Sequence, residues 1–145
     1  MIWNRIALAA ATLAALAAVP ARAPGYHILK TITLGGEGGW DYLALDTVGH
    51  RLFISRQDRV MVVDPESGKL IGEIPGFKRS HGIAFDYKTG HGFATSGADS
   101  SVIMFDLKTL RVLGRTTAAL DADAIIFDPA TGRIFTFNGD SKSSS

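Results

Sequence analysis

The stretch SHGIAFDYKTGHGFATS, residues 80–96, decides the fold because its pattern occurs three times along the chain. WDYLALDTVGHRLFIS precedes it at residues 40–55, and ADAIIFDPATGRIFTFN follows it at residues 122–138. The copies share aspartates spaced 40 and 42 residues apart, namely Asp46, Asp86 and Asp128. A period near this length, without a helical segment, is typical of propeller blades.

A second pattern repeats between these copies. RVMVVDPESGKLIGEI at residues 59–74 matches SVIMFDLKTLRVLGRT at residues 101–116, and their aspartates, Asp64 and Asp106, lie 42 residues apart. In both patterns an aspartate opens a short turn between two apolar runs, and glycine closes most of these turns. Such turns use the aspartate to accept backbone hydrogen bonds. The repeated aspartates are therefore expected to be structural and not catalytic.

These hairpins predict an all-β fold of propeller blades, each with four antiparallel strands. We expect an orphan outer strand at residues 27–34, blades at residues 40–76 and 80–117, and a half blade at residues 121–145. This count gives eleven strands, or about 2.75 blades, whereas a seven-bladed ring needs about 300 residues. The expectation is a carboxyl-truncated fragment of such a ring. The alternative is a short chain that assembles several copies into one ring.

The amino terminus has the three-part pattern of a secretory signal peptide over residues 1–23. Arg5 gives a short positive region, and residues 6–19 are apolar at 13 of 14 positions. Cleavage is expected after Ala21 or after Ala23, which leaves a mature part of 124 or 122 residues, and residues 24–145 are assigned to the partial propeller. The apolar run is short for a membrane span, which needs about 20 residues, although an uncleaved anchor is the alternative. The predicted location is periplasmic or secreted, with no transmembrane anchor after cleavage.

Charge and cysteine content exclude several classes of function. The chain has 15 basic and 14 acidic residues; without residues 1–23, which contain Arg5 and Arg22, it has 13 and 14 and a formal charge of −1. A nearly neutral chain is not a general polyanion binder. Cysteine is absent, which excludes disulfides, thiolate metal sites and thiol catalysis. The sequence requires no cofactor and identifies none.

The repeat resembles the YVTN-repeat β-propeller family, in its exported, YncE-like branch. The residues that carry the resemblance are GGEGGWDY at residues 35–42, the aspartate-to-glycine turns and the strands that follow them; FTFN at residues 135–138 is the closest copy of the namesake tetrapeptide. The resemblance spans residues 26–143. It implies a seven-bladed periplasmic or surface propeller; some relatives resemble binding proteins, and similar propellers serve in redox subunits or lactone hydrolysis.

Propeller sites usually lie where the loops meet the central channel. Aligning the blades places Asp41, His81 and Asp123 at one equivalent position just before the innermost strand, with Arg79 and Asp121 two residues earlier. Two carboxylates and an imidazole are ligands for a hard or borderline metal ion, or a general-base cluster. The competing interpretation is a solvated polar rim.

Other features of the same loops leave alternatives open. Trp40 is either a platform on which a ligand stacks or a side chain packed within the first blade. The glycine run at residues 35–39 lacks the helix and the Lys-Ser/Thr pair of a phosphate loop, so a flexible loop is expected. Four cations give weak support for a nucleic-acid partner, because six aspartates lie nearby; the cations are Lys78, Arg79, Arg56 and Arg59.

The sequence favours a non-catalytic module that binds an unknown ligand or protein partner through its loop face. The alternative is a propeller enzyme or enzyme subunit, of metal-dependent lactonase, other hydrolase or redox type, that uses the Asp and His residues of the channel mouth. A third interpretation is that the fragment has no function alone. Sequence alone identifies neither the ligand nor a reaction.

Overall fold

The structure is a computed structural model that describes residues 25–145, and within this range it is built from strands, with a short 3-10 helix (Gly97–Asp99) between two of the strands. Their bounds are β1 (Leu43–Asp46), β2 (Arg51–Arg56), β3 (Arg59–Val63), β4 (Leu70–Pro75), β5 (Ser80–Asp86), β6 (His91–Ser96), β7 (Ser101–Asp106), β8 (Val112–Thr117), β9 (Ala122–Asp128), β10 (Arg133–Asn138) and β11 (Ser143–Ser144). All of them belong to the unit formed by residues 32–145, and residues 25–31 contain no strand.

The strands form three antiparallel sheets, and each sheet follows the order of the chain. Blade 1 contains β1–β4, blade 2 contains β5–β8, and blade 3 contains β9–β11. The first strand of blade 2 contacts the first strands of blades 1 and 3, so β1, β5 and β9 lie in one row. The all-β prediction of four-stranded antiparallel blades is confirmed.

Two strand predictions differ from the structure. Residues 27–34 are not a strand, because no neighbouring strand among the described residues provides hydrogen bonds for this segment. Instead Leu34 packs against Ile54, Met61 and Val63 of blade 1. At the other end, where the half blade predicts two strands and then a loop between strands at residues 141–145, the structure has β11, which pairs Ser143 and Ser144 with β10.

The predicted export signal, residues 1–23, lies outside the described residues. Within residues 25–145, no helix is long and apolar enough to cross a membrane.

Blades 1 and 2 bury a shared apolar core. Phe53 is fully buried, with its ring centroid 5.0 Å from that of Phe85 and 5.9 Å from that of Phe105. The Arg51 guanidinium lies over the Phe53 ring, pairs with buried Asp46 and donates a 2.6 Å hydrogen bond to the Leu107 carbonyl of blade 2. Apolar packing and a charged crosslink therefore hold the two sheets together.

The repeated aspartates stabilise the turns as expected. Asp106 Oδ1 accepts hydrogen bonds from the Thr109 backbone N–H and hydroxyl at 2.6 and 2.7 Å. The hydroxyl bond, followed by the backbone bond, lowers the pKa of Asp106 below its ordinary value. Thr89 lowers the pKa of Asp86 and Thr131 lowers the pKa of Asp128 in the same way.

The lowered pKa values predict a specific loss of stability in acid. The charged Asp106 stabilises the fold above the ordinary carboxyl pKa of about 4, and this contribution is lost as the pH falls through the lower folded-state value. Denaturant unfolding at pH 6 and pH 3 should therefore show a smaller pH dependence in Asp106→Asn than in the wild type. The exposed Asp140→Asn is the control, and equal pH dependence in all three proteins would contradict the prediction.

Candidate functional site at the channel mouth

The three residues that the sequence aligns before the first strands lie together in the structure. His81 Nδ1 is hydrogen-bonded to Asp41 Oδ2 and lies 3.7 Å from Asp123 Oδ1. One ligand atom from each side chain lies within 4.8 Å of the other two. The imidazole is mostly buried, whereas the two carboxylates are more than half exposed. We call these three residues the channel-mouth cluster.

β-Bulges direct two of these side chains. In blade 2 the register passes from Ser80↔Ser96 to Ile83↔Ala94, so His81 and its neighbour share one partner on β6. Blade 3 repeats this shift at Asp123, between the pairs Ala122↔Asn138 and Ile125↔Thr136. A bulge adds a residue to one strand and redirects its side chain, and bulges are frequent next to functional sites.

Two hydroxyl groups hold these bulges from the preceding blade. Buried Ser55 of blade 1 donates a hydrogen bond to the His81 carbonyl. Buried Thr95 of blade 2 donates to the Asp123 carbonyl at 2.5 Å. Ser55 and Thr95 occupy equivalent strand positions, so each blade fixes the cluster residue of the next. Sequence analysis missed this role, although the recurrence of a small hydroxyl residue at that position was visible.

Arg79 and Asp121 form a second layer around the imidazole. Arg79 Nε donates to His81 Nε2 at 3.0 Å, and its guanidinium pairs with Asp121. Because arginine is only a donor, Nε2 is the acceptor, and the neutral imidazole carries its proton on Nδ1, which faces Asp41. The structure therefore brings together five of the six candidate site residues.

The backbone at Arg79 and Asp121 is left-handed, with φ of 63° and 58°. Their carbonyls accept equivalent 2.9 Å hydrogen bonds from Gly97 and Gly139. A side chain at either glycine would collide with this layer: a Cβ at Gly97 would lie 2.9 Å from the His81 ring and 3.1 Å from Asp121 Oδ1. A side chain at either position would therefore require the His81 ring or the Asp121 carboxylate to shift.

Trp40, the sixth candidate, is 75% exposed. Among the described residues the first blade leaves most of this indole uncovered, which does not support packing within that blade. Stacking of a ligand on the exposed indole stays a prediction.

The cations expected to give the loop face a positive charge are largely engaged. Arg59 pairs with Asp58 and Glu73, and Arg79 pairs with Asp121. Arg56 is buried and binds backbone carbonyls. These contacts weaken the case for a nucleic-acid partner, which needs cations available to phosphate.

Solved structures that match this chain include the following two. Hydrazine synthase of Kuenenia stuttgartiensis is 18% identical, with a TM-score of 0.65; the match covers 80% of this chain and 33% of that chain. The β-propeller domain of Cps50 (Swd1) from Myceliophteria thermophila is 16% identical, with a TM-score of 0.64; the match covers 77% of this chain and 35% of that one.

These likenesses, together with the three sheets, define the chain as a β-propeller protein. It spans about a third of the length of both structures. At such low identity the likeness concerns the fold alone. No family model and no curated protein matches the sequence, so membership of the YVTN-repeat family stays a prediction.

The close approach at Gly97 gives a test of the cluster geometry. Gly97→Ala should displace the His81 ring and Asp121, and overpacking of this kind costs about 1–3 kcal/mol. The imidazole ¹⁵N shifts should lose the pattern of a protonated Nδ1 and an accepting Nε2. Gly114→Ala is the matched control, since a Cβ there meets no atom within 4 Å. Unchanged ¹⁵N shifts in Gly97→Ala would contradict this geometry.

Proposed function

We propose that this chain is a ligand-binding propeller module whose loop face takes a divalent cation at Asp41, His81 and Asp123. One observation carries the proposal: equivalent positions of three blades converge, so that a ligand atom from each lies within 4.8 Å of the others. The finding supports a binding role, and the propeller supplies the scaffold that holds the three side chains.

The donor set determines the class of ligand. Two carboxylate oxygens and an imidazole nitrogen suit a hard or borderline divalent ion such as Mn²⁺ or Zn²⁺, with water or a ligand group completing the coordination. Asp41 and Asp123 are accessible to such an ion, because both are more than half exposed. An open depression of about 400 Å³ borders Asp123 on its blade 3 side.

Arg79 opposes the cation in this arrangement. An ion at His81 Nδ1 must replace the proton there, and the neutral imidazole then carries its proton on Nε2. Arg79 Nε donates to that same Nε2 in the structure, at 3.0 Å. Cation binding at Nδ1 therefore requires Arg79 Nε to give up its hydrogen bond with His81 Nε2.

The compartment is part of the proposal. The apolar run of residues 6–19 and the small residues after it support export to the periplasm or the medium. We propose the binding role for that compartment.

Calorimetric titration of the full chain with Zn²⁺, Mn²⁺ and Ca²⁺ tests the cation site. His81→Ala should weaken binding by at least about tenfold, because loss of even an outer-shell partner of a metal site has an effect of that size. His50→Ala is the matched control, since His50 lies in an exposed turn between β1 and β2.

In the same titration, Arg79→Gln should change the cation affinity in the opposite direction to His81→Ala. It removes a positive charge and the donor at Nε2, so cation affinity should rise. A wild type that binds none of the three ions, or a His81→Ala variant that binds as tightly as wild type, would refute the cation site.

A hydrolase is the second candidate, since a cation held beside exposed carboxylates can activate a bound water. The observation that favours it is the placement of exposed Asp123 beside the His81 imidazole. A screen of lactones and esters should show turnover that requires the cation and is lost in Asp123→Asn. If the protein binds the cation but turns over no substrate, the binding-module interpretation is the correct one.

A further inference from the structure

The segment before the channel-mouth cluster is wound around a buried arginine. Arg56, at the end of β2, is 8% exposed. Its guanidinium donates to the carbonyls of Gly35, Gly36, Glu37 and Gly38 at 2.9–3.2 Å. We call residues 35–39 the glycine loop. The flexible loop expected from the sequence is in fact tied to the sheet by its own backbone.

The glycines allow this winding. Gly35, Gly36 and Gly38 all have positive φ, between 66° and 90°. Residues other than glycine rarely adopt this backbone conformation. This conformation directs four carbonyls inward toward one cation. A phosphate loop does the reverse, because it directs its N–H groups at an anion. The carbonyls of the glycine loop therefore bind the guanidinium of the protein's own Arg56, and not an anion.

Blade 2 uses an equivalent anchor. The register of the strands places Ser96 at the position of Arg56. Its hydroxyl accepts from the Lys78 N–H at 2.8 Å and donates to the Lys78 carbonyl at 3.2 Å. Lys78 lies in the loop that leads to His81, as the glycine loop leads to Asp41. In both blades a buried polar side chain at this position fastens the loop before the cluster residue.

We propose that Arg56 is a positioning residue for the channel-mouth cluster: it fixes the glycine loop and thereby the placement of Trp40 and Asp41. The affinity part of this inference rests on the cation site proposed above. Lysine cannot replace Arg56, since a single ammonium lacks the planar fork of donors that reaches four carbonyls at once. Arg59 adds a fifth contact by donating to the Glu37 carbonyl at 2.9 Å, but it lies nearer the surface.

Limited proteolysis with a glutamate-specific protease tests the anchoring directly, because Glu37 lies within the glycine loop. Arg56→Lys should raise the rate of cleavage after Glu37 by about tenfold or more, since release of the loop exposes its backbone. The same variant should weaken cation binding by about tenfold, the usual effect of losing an outer-shell partner. Arg111→Lys, at an exposed position, is the matched control.

Chemical rescue separates positioning from a general loss of structure. Ethylguanidinium added to Arg56→Ala should return the rate of cleavage after Glu37 and the cation affinity to their wild-type values. Ethylammonium should restore neither. Emission of Trp40, measured in a Trp3→Phe background, should shift in Arg56→Ala and return with ethylguanidinium. If Arg56→Ala fails to fold, Gly38→Ala strains the loop with Arg56 in place and should produce the same two changes.

Unchanged cleavage after Glu37 in Arg56→Lys would overturn the inference. Faster cleavage with unchanged cation affinity would overturn it too, because the loop would then not position Asp41. If the wild type binds no cation, the proposed function fails. The role of Arg56 is then decided by the cleavage rate and by Trp40 emission with their rescue.

Discussion

The packing of one sheet face onto the next is the constraint on which the rest of the structure depends. A four-stranded sheet buries apolar side chains only when another layer covers it. Phe53 meets this requirement between blades 1 and 2, where Arg51 adds a charged crosslink to the Leu107 carbonyl. The same junction brings Ser55 within hydrogen-bonding distance of the His81 carbonyl. The packed junction between blades 1 and 2 therefore contributes both to the stability of the fold and to the geometry of the site.

Much of the fold could be predicted because its determinants are local. The aspartate that opens a turn acts on residues two or three positions away, as Asp106 does with Thr109. The period of the repeat then relates equivalent positions without knowledge of the contacts between blades. For this reason alignment alone grouped Asp41, His81 and Asp123, which the structure brings together.

The remaining features depend on groups that meet only in the folded chain. A bulge at His81 appears only when the partner on β6 is known. Arg56 looked like a surface cation because its carbonyl partners lie about 20 residues away. Residues 27–34 have a strand pattern, but a strand also needs a neighbour that supplies hydrogen bonds. The exposed state of Trp40 likewise reflects which surfaces remain uncovered.

The equivalence of the cluster positions has a consequence for how such a protein can change. Each blade presents one side chain at an equivalent position, and in blades 1 and 2 the loop before it is fastened by Arg56 and by Ser96. A substitution at Asp41, His81 or Asp123 changes the chemistry of the mouth without altering the turns or the sheet core. Because the blades repeat, ligand preference can evolve through a substitution in a single blade without a change in the residues that stabilise the fold.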